Sequence, residues 1–237
     1  MMISRYTLLS LIAFCFSAQS LAGVVIGGTR IVYPSDIKEV QITLKNKDND
    51  ERHLVQSWIS DAQDKKAPFI ITPPLIKLDE KKETLLHVVY TGEKSALPSD
   101  RETLFWANVK SVAATPVELK DKNHLQLAFK TRVKLFWRPG KLNSSDAGLA
   151  AEKLTFARAG NSLKVTNPTP YYVSFETLTV GGKKVASYDK TQPEAATMMV
   201  APFSAVNYPL PEAAGNTVSW TAINDYGGTT PVQKAQL

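Results

Sequence analysis

Apolar and polar side chains alternate along one stretch of the chain, from His124 to Arg138. The odd-numbered positions are apolar apart from one threonine, and the even-numbered positions are mostly cationic or polar. Successive side chains of a β-strand point to opposite faces, so the alternation predicts one long strand with an apolar face and a basic face. Ordinary strands hold about 3–10 residues. This strand should therefore extend beyond its own sheet before Pro139-Gly140 ends it.

Shorter β-rich runs, separated by turn residues, recur along the rest of the chain. Val40–Leu44 predicts a half-buried strand, followed by a polar turn at Asn46–Asp50. Gly27-Gly28 lies inside the first run and predicts a bulge or a strand that changes sheets. Gly181-Gly182 predicts a tight hairpin turn. Either of the bonds into Pro73-Pro74 is a candidate for a cis peptide.

The beginning of the chain predicts a leader. Leu8–Phe16 is a short apolar run that follows Arg5, and Ser20–Ala22 has the small residues of a signal-peptidase site. The run is shorter than the ~20 apolar residues that a membrane anchor needs. Residues 1–22 are therefore predicted to be a signal peptide that is cleaved after Ala22.

The remaining residues are too many for one typical domain of about 100–150 residues. Seven or eight short strands precede Pro139, strand signals resume after it, and no amphipathic helix of convincing length is predicted. Pro139–Ser145 suits a short linker. We therefore predict an all-β protein with two immunoglobulin-like sandwich domains, at residues 23–141 and 142–237.

Composition narrows the possible functions. The net charge is +6, but lysine and arginine form no dense run, so nucleic-acid binding is not favoured. The single cysteine, Cys15, lies in the predicted leader, so the mature chain has no disulfide. Beyond the leader no stretch is long and apolar enough to span a bilayer, and no membrane insertion is expected.

The residues carry no pattern that points to catalysis. His53, His87 and His124 are scattered without the spacing of zinc ligands, and the chain has no GxSxG nucleophile motif. We therefore expect a binding protein, not an enzyme, without a metal or cofactor. A carbohydrate-binding or hydrolytic protein would need a convergent polar site, which the pattern does not indicate.

Thr131–Pro139 closely resembles the end of the G1 strand in the periplasmic pilus chaperones of the chaperone–usher pathway, the PapD-like family. Further segments resemble this family in the same order: Thr29-Arg30, Leu54–Trp58, Pro68–Pro74, Asn167–Tyr172, Ala201–Ser204 and Ile223–Gly228. The resemblance implies two immunoglobulin-like domains set at an angle around a cleft. It also implies a chaperone in the periplasm of a Gram-negative bacterium. Such a protein holds pilus subunits, prevents their aggregation and delivers them to the outer-membrane usher.

The resemblance assigns roles to residues of the long strand. Pilus subunits lack the last strand of their own sandwich, and the G1 strand of the chaperone fills the gap. Leu125, Leu127 and Phe129 would be the donor residues, because their spacing of two projects all three to one side. Arg30 and Lys134 would bind the C-terminal carboxylate of the subunit and so set the register. Lys130 and Arg132 are expected to be solvated strand cations.

Three further expectations rest on the same resemblance. Glu102, Arg138 and Asp225 would form a charged network that holds the two domains together. The mature chain lacks the cysteine pair usual in long-loop relatives, and 113–123 is a modest connection, so the short-loop branch is expected. An exposed strand edge also makes self-association of the free protein plausible.

An alternative is a secreted adhesin or structural pilus component built from immunoglobulin-like domains. A pilus subunit would be a single incomplete sandwich with a donor extension at its N-terminus. This chain instead enters a strand directly after the predicted leader.

Overall fold

The computed structural model describes residues 23–115, 122–186 and 198–237. The predicted signal peptide at residues 1–22 lies outside the described residues. Over the described ranges the protein is almost entirely β, with one core of buried side chains in each half of the chain. The prediction of an all-β protein with two sandwiches is confirmed.

The first domain is a sandwich of two sheets. Its strands are β1 (Val24–Ile26), β2 (Arg30–Pro34), β3 (Val40–Asn46), β4 (His53–Ser60), β5 (Phe69–Thr72), β6 (Leu75–Leu78), β7 (Glu83–Tyr90), β8 (Thr103–Ala113) and β9 (Ala128–Arg138). One sheet has the order β1-β3-β7-β5, and the other has the order β2-β9-β8-β4-β6. A short 3₁₀ turn at Lys94–Ala96 lies between β7 and β8.

The second domain begins with helical turns and continues as two sheets. The helical turns are α1 (Ser144–Leu149) and a 3₁₀ segment (Ala150–Lys153). The strands are β10 (Thr155–Ala159), β11 (Ser162–Asn167), β12 (Val173–Val180), β13 (Lys183–Lys184), β14 (Met199–Val200), β15 (Ser204–Pro209), β16 (Thr217–Ala222) and β17 (Gln233–Gln236). The sheets have the orders β10-β11-β15 and β13-β12-β16-β17, and β14 also pairs with β12.

Several local predictions are confirmed. Gly27-Gly28 separates β1 from β2, which lie in different sheets, and Gly28 has a φ of +97°. Gly181 and Gly182 have φ values of +57° and +78° between the paired strands β12 and β13, as a type I′ hairpin turn requires. The Thr72–Pro73 bond is cis. The alternation in Val40–Leu44 gives the half-buried strand β3.

Two local predictions need correction. Asn46 belongs to β3 and is fully buried instead of lying in a polar turn, because its side-chain amide donates to three backbone carbonyls. The predicted linker is shorter than Pro139–Ser145, because the side chain of Asn143 accepts a hydrogen bond from the backbone N–H of Asp146 and starts α1. The first core ends at Trp137, and the second includes Leu142. The boundary at residue 141 stays a prediction.

The predicted strand over His124–Arg138 is also too long. The structure has a strand only from Ala128, because a strand needs a hydrogen-bonded neighbour and the last pair with β8 joins Ala128 to Val112. Among the described residues no strand lies beside 124–127. There the side chain of Gln126 donates to the carbonyl of Ala113 at 3.2 Å. The apolar alternation therefore continues beyond the sheet that the protein itself provides.

Candidate functional site

One edge of β9 is open over half of its length. On one side β9 pairs with β8 from Ala128 to Trp137. On the other side it pairs in parallel with β2, beginning only at the pair of Arg30 with Lys134. Over the described chain, the edge from Ala128 to Val133 therefore has no strand beside it. Such an edge presents backbone N–H and C=O groups that can pair with another chain.

The apolar face of β9 is buried near the end of the strand, where β2 lies beside it, and it is exposed along most of the open edge. Val133, Leu135 and Trp137 are only 6%, 0% and 2% exposed, because they lie in the first core. The three predicted donor residues continue the alternation, but Leu125, Leu127 and Phe129 are 84%, 58% and 62% exposed. These three residues line an open cavity of about 380 Å³. An exposed apolar row beside an unpaired edge is a surface suited to a strand with apolar side chains.

Arg30 and Lys134 lie where the open edge ends. They are opposite each other in the register of β2 and β9, and both are half-buried. Arg30 Nη1 donates to the carbonyl of Ile223 at 2.8 Å, and its guanidinium lies 5.6 Å from the ring centroid of Phe136. Lys134 Nζ donates to Ser174 Oγ at 3.0 Å. Because Ile223 and Ser174 belong to the second domain, the two cations lie between the domains.

The electrostatics of this pair favour an anionic ligand. Burial lowers the pKa of Arg30, although the charges of Asp225 and Glu102 oppose the shift. Burial, together with the charge of Arg30, lowers the pKa of Lys134 to about 8. Among the described residues Arg30 Nε is buried without a hydrogen-bond partner, and neither cation has a carboxylate within ion-pair distance. A carboxylate placed here would supply the missing acceptors and charge.

Ser174 and Ile223 were not identified from the sequence. Each contributes an acceptor that holds one cation of the pair, Ser174 through its hydroxyl and Ile223 through its backbone carbonyl. The contacts join positions that are 40 and 193 residues apart in the chain. No local sequence signal could have shown them.

The structure brings Glu102, Arg138 and Asp225 together across the two domains. Arg138 donates from Nε to Glu102 Oε1 at 2.8 Å and from Nη1 and Nη2 to the two oxygens of Asp225 at 2.6 and 2.9 Å. The other oxygen of Glu102 accepts from the backbone N–H of Tyr172 at 2.8 Å. Arg138 and Glu102 are each only 4% exposed. This buried cluster joins the residue before β8 and the end of β9 in the first domain to the loop that follows β16 in the second.

The charges of this cluster depend on one another. Burial works against the charge of Arg138, but hydrogen bonding to Asp225 and the charge of Glu102 outweigh it and raise the pKa of Arg138. Burial raises the pKa of Glu102, although the charge of Arg138 opposes the shift. Removing the arginine would leave two neighbouring carboxylates without their cation.

We expect Arg138→Ala to lower the free energy of unfolding by about 3–5 kcal/mol, the usual cost of leaving a buried charge uncompensated. Urea denaturation at pH 7, followed by circular dichroism, measures it. The matched control is Arg158→Ala on the exposed face of β10, which should change the free energy by less than about 1 kcal/mol. Equal losses for the two variants would contradict a stabilising role for the cluster.

Lys130 and Arg132 are exposed, as expected of solvated strand cations. Both lie near Asp64, with Lys130 Nζ at 3.2 Å from Oδ2 and Arg132 Nη2 at 3.9 Å from Oδ1. They also lie over the rings of Trp58 and Trp106. Ion pairs this exposed to water contribute little to stability. These two cations lie on the exposed face of the sheet, whereas Arg30 and Lys134 are half-buried.

The described residues bring together one group of potential metal ligands that the sequence did not reveal. Asp48, Glu51 and His53 each place a ligand atom within 4.8 Å of the others. Asp48 is already hydrogen-bonded through both carboxylate oxygens, to Gly23 and to His53. Asp48 and His53 thus form a hydrogen-bonded cluster with Gly23, the residue before β1. Within the described ranges, no helix has the length and apolar character needed to cross a membrane.

The fold and this site define a two-domain immunoglobulin-like binding protein that presents an open strand edge next to a buried pair of cations. Residues 23–143 match the PapD N-terminal domain family of pili and flagellar-assembly chaperones. Residues 149–234 match the C-terminal domain family of the pili assembly chaperone PapD. The chain therefore belongs to the PapD family of pilus assembly chaperones. As in the other chaperones of this family, the two domains of the chain are set at an angle.

Individual relatives agree with this assignment. The chain is 38% identical over 242 residues to the probable fimbrial chaperone SfmC of Escherichia coli strain K12, with 100% of both chains covered. A solved structure of the Salmonella enterica SafA pilin in complex with the SafB chaperone matches with a TM-score of 0.76 and 30% identity, covering 93% of this chain and 99% of the other. The periplasmic chaperone SfaE matches with a TM-score of 0.74 and 33% identity, covering 91% and 100%.

Proposed function

We propose that this protein is a periplasmic chaperone that captures pilus subunits by donating β9 and the residues before it as a strand. It prevents the aggregation of these subunits and delivers them to the outer-membrane usher. The observation that carries the proposal is the apolar row of β9, which is buried up to Val133 and continues exposed through Phe129, Leu127 and Leu125. The SafB chaperone, which resembles this chain, has been solved with a pilin bound. The alternative of an adhesin or structural pilus component does not fit a chain whose two halves match chaperone domains.

The placement of the cations predicts the direction of the captured strand. If the C-terminal carboxylate of a subunit binds between Arg30 and Lys134, the rest of that strand must extend along the open edge toward Leu125. It then runs parallel to β9, as β2 does. Apolar side chains spaced by two would face the donor residues, and burying each large one contributes about 1.5–3 kcal/mol. Backbone hydrogen bonds along the edge add affinity that does not depend on sequence, which suits several client subunits.

The export of the protein and its branch of the family are proposed on other grounds. The relative SfaE is described as periplasmic, which favours export by the predicted signal peptide. The short-loop branch is proposed because the sequence after Ala22 contains no cysteine. Residues 116–121 of the connection between β8 and β9 lie outside the described residues. When no subunit is bound, the open edge could pair with a second copy of the chain.

The direct test is co-expression with a pilus subunit encoded in the same gene cluster. We expect the subunit to accumulate in the periplasm and to purify in a one-to-one complex with the tagged chaperone. Without the chaperone the subunit should be degraded or aggregated. A subunit that accumulates to the same soluble level without this protein would contradict the proposal.

The anchor makes capture dependent on pH. A carboxylate binds the charged form of Lys134, whose pKa in the free protein is about 8. Binding stabilises that charge and raises the pKa, so affinity is greatest below pH 8 and falls as the pH rises above it. For a synthetic peptide of the subunit's C-terminal strand, we expect affinity to fall up to about tenfold between pH 7 and pH 9. Isothermal titration calorimetry measures this change.

Two controls separate the anchor from other titrations. Lys134→Arg keeps its charge over this range, so its affinity should stay constant from pH 7 to pH 9. A peptide with an amidated C-terminus should bind weakly at both pH 7 and pH 9. An equal loss of affinity in the wild type and in Lys134→Arg would show that another group causes the pH dependence.

A further inference from the structure

The backbone nitrogen of Gly23 makes a specific contact at the start of β1. It donates to Asp48 Oδ1 at 2.8 Å, and the carbonyl of Gly23 accepts from the backbone N–H of Lys47 at 3.0 Å. The other oxygen of Asp48 is hydrogen-bonded to His53 Nε2. Asp48 is 9% exposed and His53 is 4% exposed. The nearly buried carboxylate of Asp48 is therefore hydrogen-bonded through one oxygen to the imidazole of His53 and through the other to the backbone nitrogen of Gly23.

The predicted processing site gives that nitrogen a different chemical identity in the mature chain. Hydrolysis of the Ala22–Gly23 bond adds one water and leaves a carboxylate on Ala22 and an amino group on Gly23. In the precursor the nitrogen of Gly23 is a neutral amide with one hydrogen. In the mature chain it is an ammonium group, since an α-amino group has an ordinary pKa of about 7.7–8.0. The precursor amide already donates to a charged acceptor, and the ammonium group adds a direct attraction between opposite charges.

We propose that removal of the signal peptide creates an ion pair between the α-ammonium group of Gly23 and Asp48, which holds β1 in its register with β3. This rests on the proposed export and cleavage after Ala22. The strand β1 has only three residues, and its pairing with β3 begins at Val24 opposite Asn46, next to the ion pair. The precursor lacks the charge on Gly23, so its first strand is held less tightly. Folding is thereby favoured after processing.

The ion pair lies in a wall of the cavity that the donor residues line. Gly23, Asp48 and His53 line it together with Leu125 and Phe129. The other titratable groups of this wall are Glu51 and His124. The ion pair therefore keeps the start of β1 in place beside the surface that is proposed to receive a subunit.

The test compares two N-termini in a double-mutant design. One protein is exported and begins at Gly23, which intact mass verifies. The other is made in the cytoplasm and keeps Leu21 and Ala22 behind an initiator methionine. Asp48→Asn should lower the midpoint of thermal unfolding by about 2–4 °C in the processed protein. In the extended protein the same change should cost less than half as much. The control Asp50→Asn, at an exposed position of the same turn, should shift neither midpoint.

A second experiment measures the chemical reactivity of the α-amino group of Gly23. Labelling with acetic anhydride at pH 7, followed by peptide mass analysis, should modify the α-amine of Gly23 about tenfold more slowly than the α-amine of an unstructured peptide with the same first residues. Asp48→Asn should restore most of that reactivity. Equal midpoint shifts for the two N-termini, or a Gly23 amine as reactive as the peptide, would overturn the proposal. If Asp48→Asn does not fold, the proposal is tested by comparing the labelling rate of Gly23 in the wild type with that of the peptide.

A mass that places the mature N-terminus elsewhere than Gly23 would also overturn it. Subunit capture would be unaffected by that result, so failure of this inference is distinguishable from failure of the proposed function.

Discussion

Leu127→Glu should reduce subunit capture by more than about 10³-fold while the chaperone stays folded. Leu127 is 58% exposed in the free protein, so the change removes no core contact. In the proposed complex the side chain enters an apolar groove of the subunit. There the variant loses the burial of the leucine and must also transfer a carboxylate out of water. Both effects act only on the complex.

The measurement is co-purification of the subunit from periplasmic extract, with far-ultraviolet circular dichroism of the purified variant. The matched control is Leu75→Glu, because Leu75 is similarly exposed at 56% but lies on β6, an edge strand that β8 and β4 separate from β9. That control should capture subunit normally. Capture by Leu127→Glu at the level of the control would refute the donor role of the strand.

Lys134→Met should abolish capture and at the same time stabilise the free protein. Burial and the charge of Arg30 lower the pKa of Lys134 from 10.5 to about 8, so the folded state disfavours the charged lysine. Its charge costs stability at neutral pH, and this cost disappears as the pH rises from about 8 through 10.5. Methionine keeps the apolar stem without the charge, so we expect a gain of about 1–3 kcal/mol at pH 7.

The loss of capture has a separate cause. Without Lys134 the carboxylate of the subunit would be held by Arg30 alone in a partly buried position, and losing one partner of such a pair costs about 2–5 kcal/mol. Arg30→Ala should have the same effect on capture. Chemical denaturation and pull-down assays measure the two properties, with Lys130→Met as the control from the exposed part of the same strand. A Lys134→Met variant that is less stable than the wild type, or that still captures subunit, would contradict this account.

Much of this site could be predicted from the sequence because alternation reports which way side chains face. It gave the same face to Leu125 and to the core residue Leu135, which agrees with the structure. Alternation does not report where the hydrogen-bonded neighbour of a strand ends. The predicted strand was therefore too long by the four residues before Ala128.

Other features depend on contacts between distant positions. The burial of Asn46 requires the carbonyls of Glu51, Leu78 and Asp79, and turn composition gives no sign of them. The contact of Ser174 with Lys134 joins two domains, so neither residue's local sequence predicts it. The resemblance to a known family supplied the two residues that are proposed to bind the carboxylate, whereas the structure supplied the groups that contact them.

The position of β2 has a consequence for the choice of client. It occupies the edge of β9 from Lys134 onward. The C-terminus of a captured strand running parallel to β9 would therefore lie against Arg30, the first residue of β2. A client whose chain continued for several residues past its last strand would collide with β2. The site would thus select clients by length. It would bind polypeptides in which the C-terminal carboxylate reaches Arg30 and Lys134 while the last apolar side chains contact the donor residues. Nascent subunits that are still being translocated have no free end to offer, and they would be passed over until synthesis and export are complete.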